Sequence, residues 1–434
     1  MSPGTHRPAA ARRPEWGRAG SSPQRLAAPG GLPVRRTQGR RPRGDEPGGA
    51  TPPIHWGWPS PGTAPDSGRP VVCSRPAEPD GRAQRPRVLV LRALGLGDLL
   101  AGVPALRALR RGFPGYEIVL AAPEQLAAPA AASGAVDRLL PASAPGRAVP
   151  VRLEWEGPPP DVAVDLHGNG PSSHRLLQRM HPQRLLAFAH PGTPEIAGPG
   201  WRADEHERAR WCRLLEWYGI PADPADLRLP VPGVPSPAPG AVVVHPGADS
   251  GARRWPAERY AAVVRGLRQR GYRVVLTGGP GEDELLDRVR DGALQPDDHE
   301  AAGPLGTSAP RGPAGAAAAG GRAGEGGVDG DVTVFRGGLP FERLAALFAG
   351  AAAVVSGDTG IAHLAVAYGV PSVTLFGPVS PGLWGPPPGT RHVALWHPGP
   401  PGDPHGREPD PRLLRIRPDD VLKALFDHPE VPRP

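Results

Sequence analysis

The sequence has almost no cysteine or lysine. Over 434 residues it carries two cysteines, Cys73 and Cys212, and one lysine, Lys423, among 50 basic residues. Two cysteines so placed build neither a disulfide framework nor a zinc centre. The near-exclusive use of arginine reads as the codon bias of a GC-rich genome rather than a functional choice. No apolar run approaches the ~20 residues needed to cross a bilayer. The first 30 residues contain arginines but no apolar stretch, so no secretory signal is visible and a cytoplasmic location is expected. A Walker A loop, C-x-x-C, H-E-x-x-H and G-x-S-x-G are all missing. So is an acid-x-acid pair in the plausible loops, and no metal site is expected.

Glycine (60 residues) and proline (63) are in excess, and their distribution matters more than their sum. Residues 1–86 and roughly 295–330 mix Pro, Gly, Ala and Arg without apolar periodicity, and such segments bury too little surface to offset the entropy of ordering. The first is expected to be a disordered tail, the second a low-complexity insert. The formal net charge is +7, but residues 1–87 hold 15 arginines against 6 acids, so the remainder is slightly acidic. The basic character belongs to the tail, and no nucleic-acid partner is expected.

From Arg87 onward apolar strands alternate with helical stretches, the pattern of parallel βαβ units. Strands are expected at RVLVLRA, 116–122, 161–167 and 184–190, with helices at 98–111, 123–132, 172–180 and 203–218. After the proline-rich break LPVPGVPSPAPG the pattern restarts with AVVVHPG, and a last helix is expected over 418–427. The reading is an α/β chain of two Rossmann-like domains, 87–235 and 241–395, facing across a cleft, followed by a C-terminal tail, 396–434.

In open α/β sheets ligands bind beyond the carboxyl ends of the strands, so those loops hold the candidates. In VVSGDTGIAHLAVAYGVP a strand turns through Gly357-Asp358-Thr359-Gly360 into a helix, whose free N–H groups and dipole suit phosphate. Thr359 adds a hydroxyl, Gly360 permits close approach, and His363 lies one turn on. Asp358 either accepts hydrogen bonds from sugar hydroxyls or merely caps the helix. In HPGADSGARRWP, Arg253 or Arg254 could grip a diphosphate, or both form a solvated surface. In TGGPGED, Glu282 could take the two hydroxyls of a ribose or offset a helix dipole. In the first half, LGLGD presents Asp98 after a glycine turn in which Gly97 allows close approach, and DLHGNG presents Asp165 and His167, the histidine either for substrate or structural. Leu100 stands where a dinucleotide fingerprint needs its third glycine, which weighs against an NAD-dependent oxidoreductase.

Taken in order, LGLGD followed by LLAGVPALRALRRGFP, then HPG…RRWP, GGPGED and SGDTGIAHLAVAYGVPSVTLFGP resemble glycosyltransferase family 9, the ADP-heptose:lipopolysaccharide heptosyltransferases. The resemblance covers about 87–395 without the insert. It implies a GT-B fold, with the acceptor in the first domain and a nucleotide-sugar donor, ADP-heptose-like, in the second, and no cofactor. It implies metal-independent, inverting transfer to a cell-envelope glycan or glycolipid, with peripheral contact at the inner membrane face compatible with such an acceptor. By the same resemblance Asp98 is the general base. Asp358 meets donor sugar hydroxyls, Arg253, Thr359 and Gly360 the diphosphate, Glu282 the ribose, and His363 supports them; Gly97, Asp165 and His167 lie on the acceptor side. Two departures stand out: Gly247 and Ala248 replace the family's hydroxyl-bearing threonines, and Arg253 replaces its lysine. The alternatives are a GT-B-like sugar-nucleotide epimerase and a non-catalytic nucleotide-sugar-binding protein.

Overall fold

Every apolar residue of RVLVL after Arg87 is sequestered from solvent, Val88 to Leu91 at 0% exposure. Such a run forms a strand only where both of its faces are covered, as in a parallel sheet. A computed structural model describes residues 85–295, 327–329 and 332–434 and shows that arrangement twice. The expected disordered tail and most of the insert lie outside the described residues.

The first lobe comprises β1 (Arg87–Leu91), α1 (Leu96–Gly112), β2 (Glu117–Ala122), α2 (Ala127–Ala132), β3 (Arg138–Pro141), β4 (Val162–Asp165), α3 (Pro171–Gln178), β5 (Arg184–Leu186) and α4 (Glu207–Trp217). Its strands pair in parallel in the order β3-β2-β1-β4-β5. The order reverses between β1 and β4, so a crevice opens where these neighbours end, at Leu91 and Asp165.

The second lobe contains β6 (Val242–His245), α5 (Ala257–Gln269), β7 (Val274–Thr277), α6 (Asp283–Leu294), β8 (Gly327–Asp329) and β9 (Val332–Phe335). It continues through α7 (Phe341–Ala349), β10 (Ala353–Gly357), α8 (Gly360–Tyr368), β11 (Ser372–Leu375), α9 (Pro381–Trp384), β12 (His392–Leu395) and α10 (Pro418–Phe426). The sheet runs β12-β11-β10-β6-β7-β9-β8, all parallel except β8 against β9. Without β8 this is the doubly wound dinucleotide-fold order, and its reversal falls between β6 and β10. Helix α8 stops at Gly369, whose φ of 62° is the left-handed cap that glycine adopts without a Cβ penalty.

Residues 396–434 are more than a tail. Leu413, Ile416, Val421 and Leu425 are buried in the core beside α5 and β11, so this segment completes the second lobe. The strand expected at 184–190 is short, ending at Leu186, and the edge strands β3 and β12 had no sequence expectation.

An apolar cluster crosses between the lobes. Leu100 and Val103 of α1 pack with Leu229 of the connecting segment and with Ile361 and Leu364 of α8. Helices α1 and α8 therefore lean on each other near their N-termini, and the two sheet crevices face one seam.

Candidate active site

Helix α1 begins with Gly95 as its N-cap, and Asp98 is the third helical residue. The Asp98 carboxylate accepts a hydrogen bond from the Gly95 N–H at 3.1 Å, so it holds its own turn. Its side chain keeps 13% exposure, and Arg147 Nη1 stands 3.7 Å from its Oδ2. Arg147 sits on the loop after β3 with φ of 60°, rare for a residue with a side chain. Its other nitrogen donates to Asp249, on the loop after β6 in the opposite lobe. One guanidinium thus touches the candidate base and bridges the seam.

Across the seam, Thr359 is the N-cap of α8, yet its side chain caps nothing. Asp358 is buried, with Arg253 Nη1 3.5 Å from its Oδ2 and 3.4 Å from its carbonyl oxygen. Burial raises the Asp358 carboxyl above its ordinary range, Arg253 opposes the rise, and Asp98 adds to it. Burial pushes His363 down to about 3, helped by Arg208 and His206, so it is neutral at working pH. Its ring stands edge-on to Trp384 at 6.0 Å.

Four buried polar atoms here lack a hydrogen-bond partner: Arg253 Nε, Ser356 Oγ, Thr359 Oγ1 and His167 Nδ1. Native interiors leave few such groups unmatched, and the three at the start of α8 and on Arg253 beside it can serve a polar ligand there. Beside it, His245 Nδ1 lies 3.1 Å from Thr277 Oγ1, joining the ends of β6 and β7. The Glu282 carboxylate accepts from the Gly279 N–H at 2.7 Å. It fills the space in front of Gly247, where a Cβ would fall 2.0 Å from Glu282 Oε2.

The sequence candidates fall into three groups. Asp358, Thr359, Gly360, His363 and Arg253 gather around the start of α8, with Glu282 at the neighbouring strand end. Asp98 reaches the same seam from the other lobe, close enough to act electrostatically on Asp358 and on His167. Burial pushes His167 down to about 4, with Arg92 adding to the fall and Asp98 opposing it.

The surroundings of Gly97 and Asp165 are also defined. Gly97 faces the second lobe: a Cβ there would lie 3.2 Å from the Gly360 Cα and 3.0 Å from His363 Cδ2. Asp165, at the end of β4, is wholly buried. It accepts from the His167 and Gly168 N–H groups at 2.9 and 3.3 Å, which shapes the turn carrying His167. Burial lifts its carboxyl to about 6.

Sequence reasoning passed over Arg92, Arg147, Asp249 and Arg208. Arg92 carried a signal, a charge ending an otherwise apolar strand just ahead of a glycine turn. Arg147 and Asp249 carried none, because each finds its partner in the other lobe. Arg208 and His206 of the first lobe both bond the Gly385 carbonyl of the second, at 2.9 and 3.0 Å.

Two Rossmann-like lobes with a polar crevice at their facing strand ends are the arrangement of the GT-B fold. The profile of glycosyltransferase family 9 (heptosyltransferase) matches residues 226–303 and 325–403. Lipopolysaccharide heptosyltransferase 1 of Escherichia coli K12 is 23% identical over 325 residues, 69% of this chain and 90% of that protein. Lipopolysaccharide heptosyltransferase 3 of E. coli is 28% identical over 147 residues, a span of only 33% of either chain. The solved structure of E. coli ADP-heptose lipopolysaccharide heptosyltransferase II superposes with a TM-score of 0.57 at 19% identity, covering 79% of this chain and 98% of that one. The chain is thus similar to the family 9 heptosyltransferases, in profile over its second lobe and in fold over both lobes.

Proposed function

We propose that the protein moves a heptose-like sugar from a nucleotide-diphosphate donor, ADP-linked as in the name of its structural neighbour, to a hydroxyl of a cell-envelope glycan or glycolipid. The observation that carries this reading is the meeting of an exposed-edged carboxylate, Asp98, with the unsatisfied polar cluster at the start of α8. In the reaction the acceptor hydroxyl oxygen attacks the anomeric carbon as Asp98 takes its proton. The bond from that carbon to the diphosphate oxygen breaks, and the electron pair leaves with the diphosphate. Attack opposite the leaving group inverts the anomeric centre.

Arg253, the α8 N–H groups and the Thr359 hydroxyl receive the charge that develops on the diphosphate, the work a metal does in other transferases. Asp358, held by Arg253, accepts hydrogen bonds from donor sugar hydroxyls, and Glu282 takes the ribose. Neutral His363 backs the cradle without adding charge. Gly97 sets how closely the lobes approach, and Asp165 acts through the His167 turn. The protein is expected to work in the cytoplasm, where a lipid-linked acceptor would bring it to the inner membrane face.

Incubation with ADP-heptose and an acceptor glycan tests the reading: a glycosylated product of opposite anomeric configuration, formed in the presence of a chelator, supports it. Conversion of the donor to an epimer without acceptor, or donor binding with no turnover, would replace it with one of the two alternatives.

A further inference from the structure

Arg92, the residue that follows β1, is 1% exposed. A guanidinium so deeply placed costs several kcal/mol unless its donors are matched, and here they are. Nε donates to the backbone carbonyl of Asp98 at 2.6 Å. Nη1 donates to the carbonyl of Leu166, the residue before His167. Nη2 pairs with Glu207 Oε1 at 3.1 Å, and the cation lies over the Trp211 ring at 5.1 Å. Glu207 is fixed in turn by Trp211 Nε1 at 2.7 Å and by Arg210. Helix α1 leaves room for the crossing: a Cβ on Gly102 would lie 2.9 Å from Arg92 Nε.

We propose that Arg92 is a positioning residue for the transfer, its fork gripping the Asp98 and Leu166 carbonyls so that Asp98 and the His167 turn stay at a fixed separation in the first-lobe crevice. This rests on the reading of Asp98 as the base. One gripped carbonyl lies in the first turn of α1 and the other in the loop after β4, beyond the ends of neighbouring strands, and no other side chain among the hydrogen bonds described joins them. A lysine has one ammonium on a flexible stem and cannot hold both in that geometry. Arg92 also bears electrostatically on His167, together with Asp98.

The test is a double-mutant cycle on the full chain, with transfer measured at saturating donor and acceptor. Arg92→Lys is expected to lower kcat by about 10- to 100-fold, the scale of a misplacement of about 1 Å, and to leave the donor KM within about twofold. In an Asp98→Asn background the same substitution should cost no more than about twofold, since residues acting as a unit are not additive. Gly102→Ala, which crowds Arg92 while keeping its charge, is expected to repeat the pattern and serves if Arg92→Lys does not fold. An unchanged kcat, or the same fold-loss in both backgrounds, would overturn the positioning role. Near-normal turnover of Asp98→Asn alone would instead sink the base assignment beneath it.

Discussion

Gly97 and Gly360 meet face to face across the seam between the lobes. A side chain on Gly97 would come within 3.2 Å of the Gly360 Cα, and one on Gly360 within 3.0 Å of the Gly97 nitrogen. The turn that presents Asp98 and the turn that starts α8 are thus held in register by two missing side chains. Close approach of the lobes and assembly of the site rest on the same contact.

Gly97→Ala should therefore act on closure rather than on either lobe. Crowding against backbone typically costs about 1–3 kcal/mol, and here the seam can relieve it by opening. The expected outcome is a 10-fold or greater fall in kcat/KM, about 1.4 kcal/mol per tenfold, with a nearly unchanged melting temperature. Activity equal to wild type would show that the close approach is incidental.

Asp358 should trade stability for binding. A raised carboxyl costs stability above the ordinary carboxylate range, and the cost is relieved as pH falls through the raised value. Asp358→Asn is expected to melt higher than wild type at about pH 8, with the difference closing toward about pH 4. Calorimetry should show donor affinity weakened by about 10-fold or more, the scale of a hydrogen bond to a charged group. Unchanged affinity would remove Asp358 from the donor site.

Gly247→Ala tests the ribose contact by displacing the Glu282 carboxylate without substituting it. The new Cβ would occupy the Glu282 carboxylate position, and that flexible side chain can swing aside at little cost to the fold. Donor affinity should drop while the melting temperature holds, and free sugar without a nucleotide should bind as before. An unaltered donor affinity would place the ribose elsewhere.

His167 gives a pH signature. Its value near 4 lies below the ordinary 6.5, so the unfolded chain binds the proton first as pH falls. Its contribution is intact above about pH 6.5 and lost progressively toward pH 4. His167→Gln should lose less melting temperature than wild type across that window, and equal losses would contradict the buried, neutral ring.

The central strands and the α8 signature were legible in the sequence because buried parallel strands are written as unbroken apolar runs, VLVL and VVV, and because Gly-Asp-Thr-Gly must turn directly into a helix. Edge strands such as Arg138–Pro141 and His392–Leu395 were not, since one side is unpaired and their composition follows local packing. The C-terminal segment looked like a tail because its buried residues, Leu413 and Ile416, are spaced among arginines and prolines. In the site, residues beside a strand end were readable one by one. What sequence could not show was who meets whom: Arg147 with Asp249, and Gly97 with Gly360, are pairings made only when the lobes come together.

The most direct test of the account is turnover of Asp98→Asn. Asparagine keeps an oxygen to accept from the Gly95 N–H, so α1 should start as before and donor binding by calorimetry should be unchanged. Transfer should fall by a factor on the order of 10²–10⁴, the range for loss of a general base. Near-normal transfer by that variant would contradict the account.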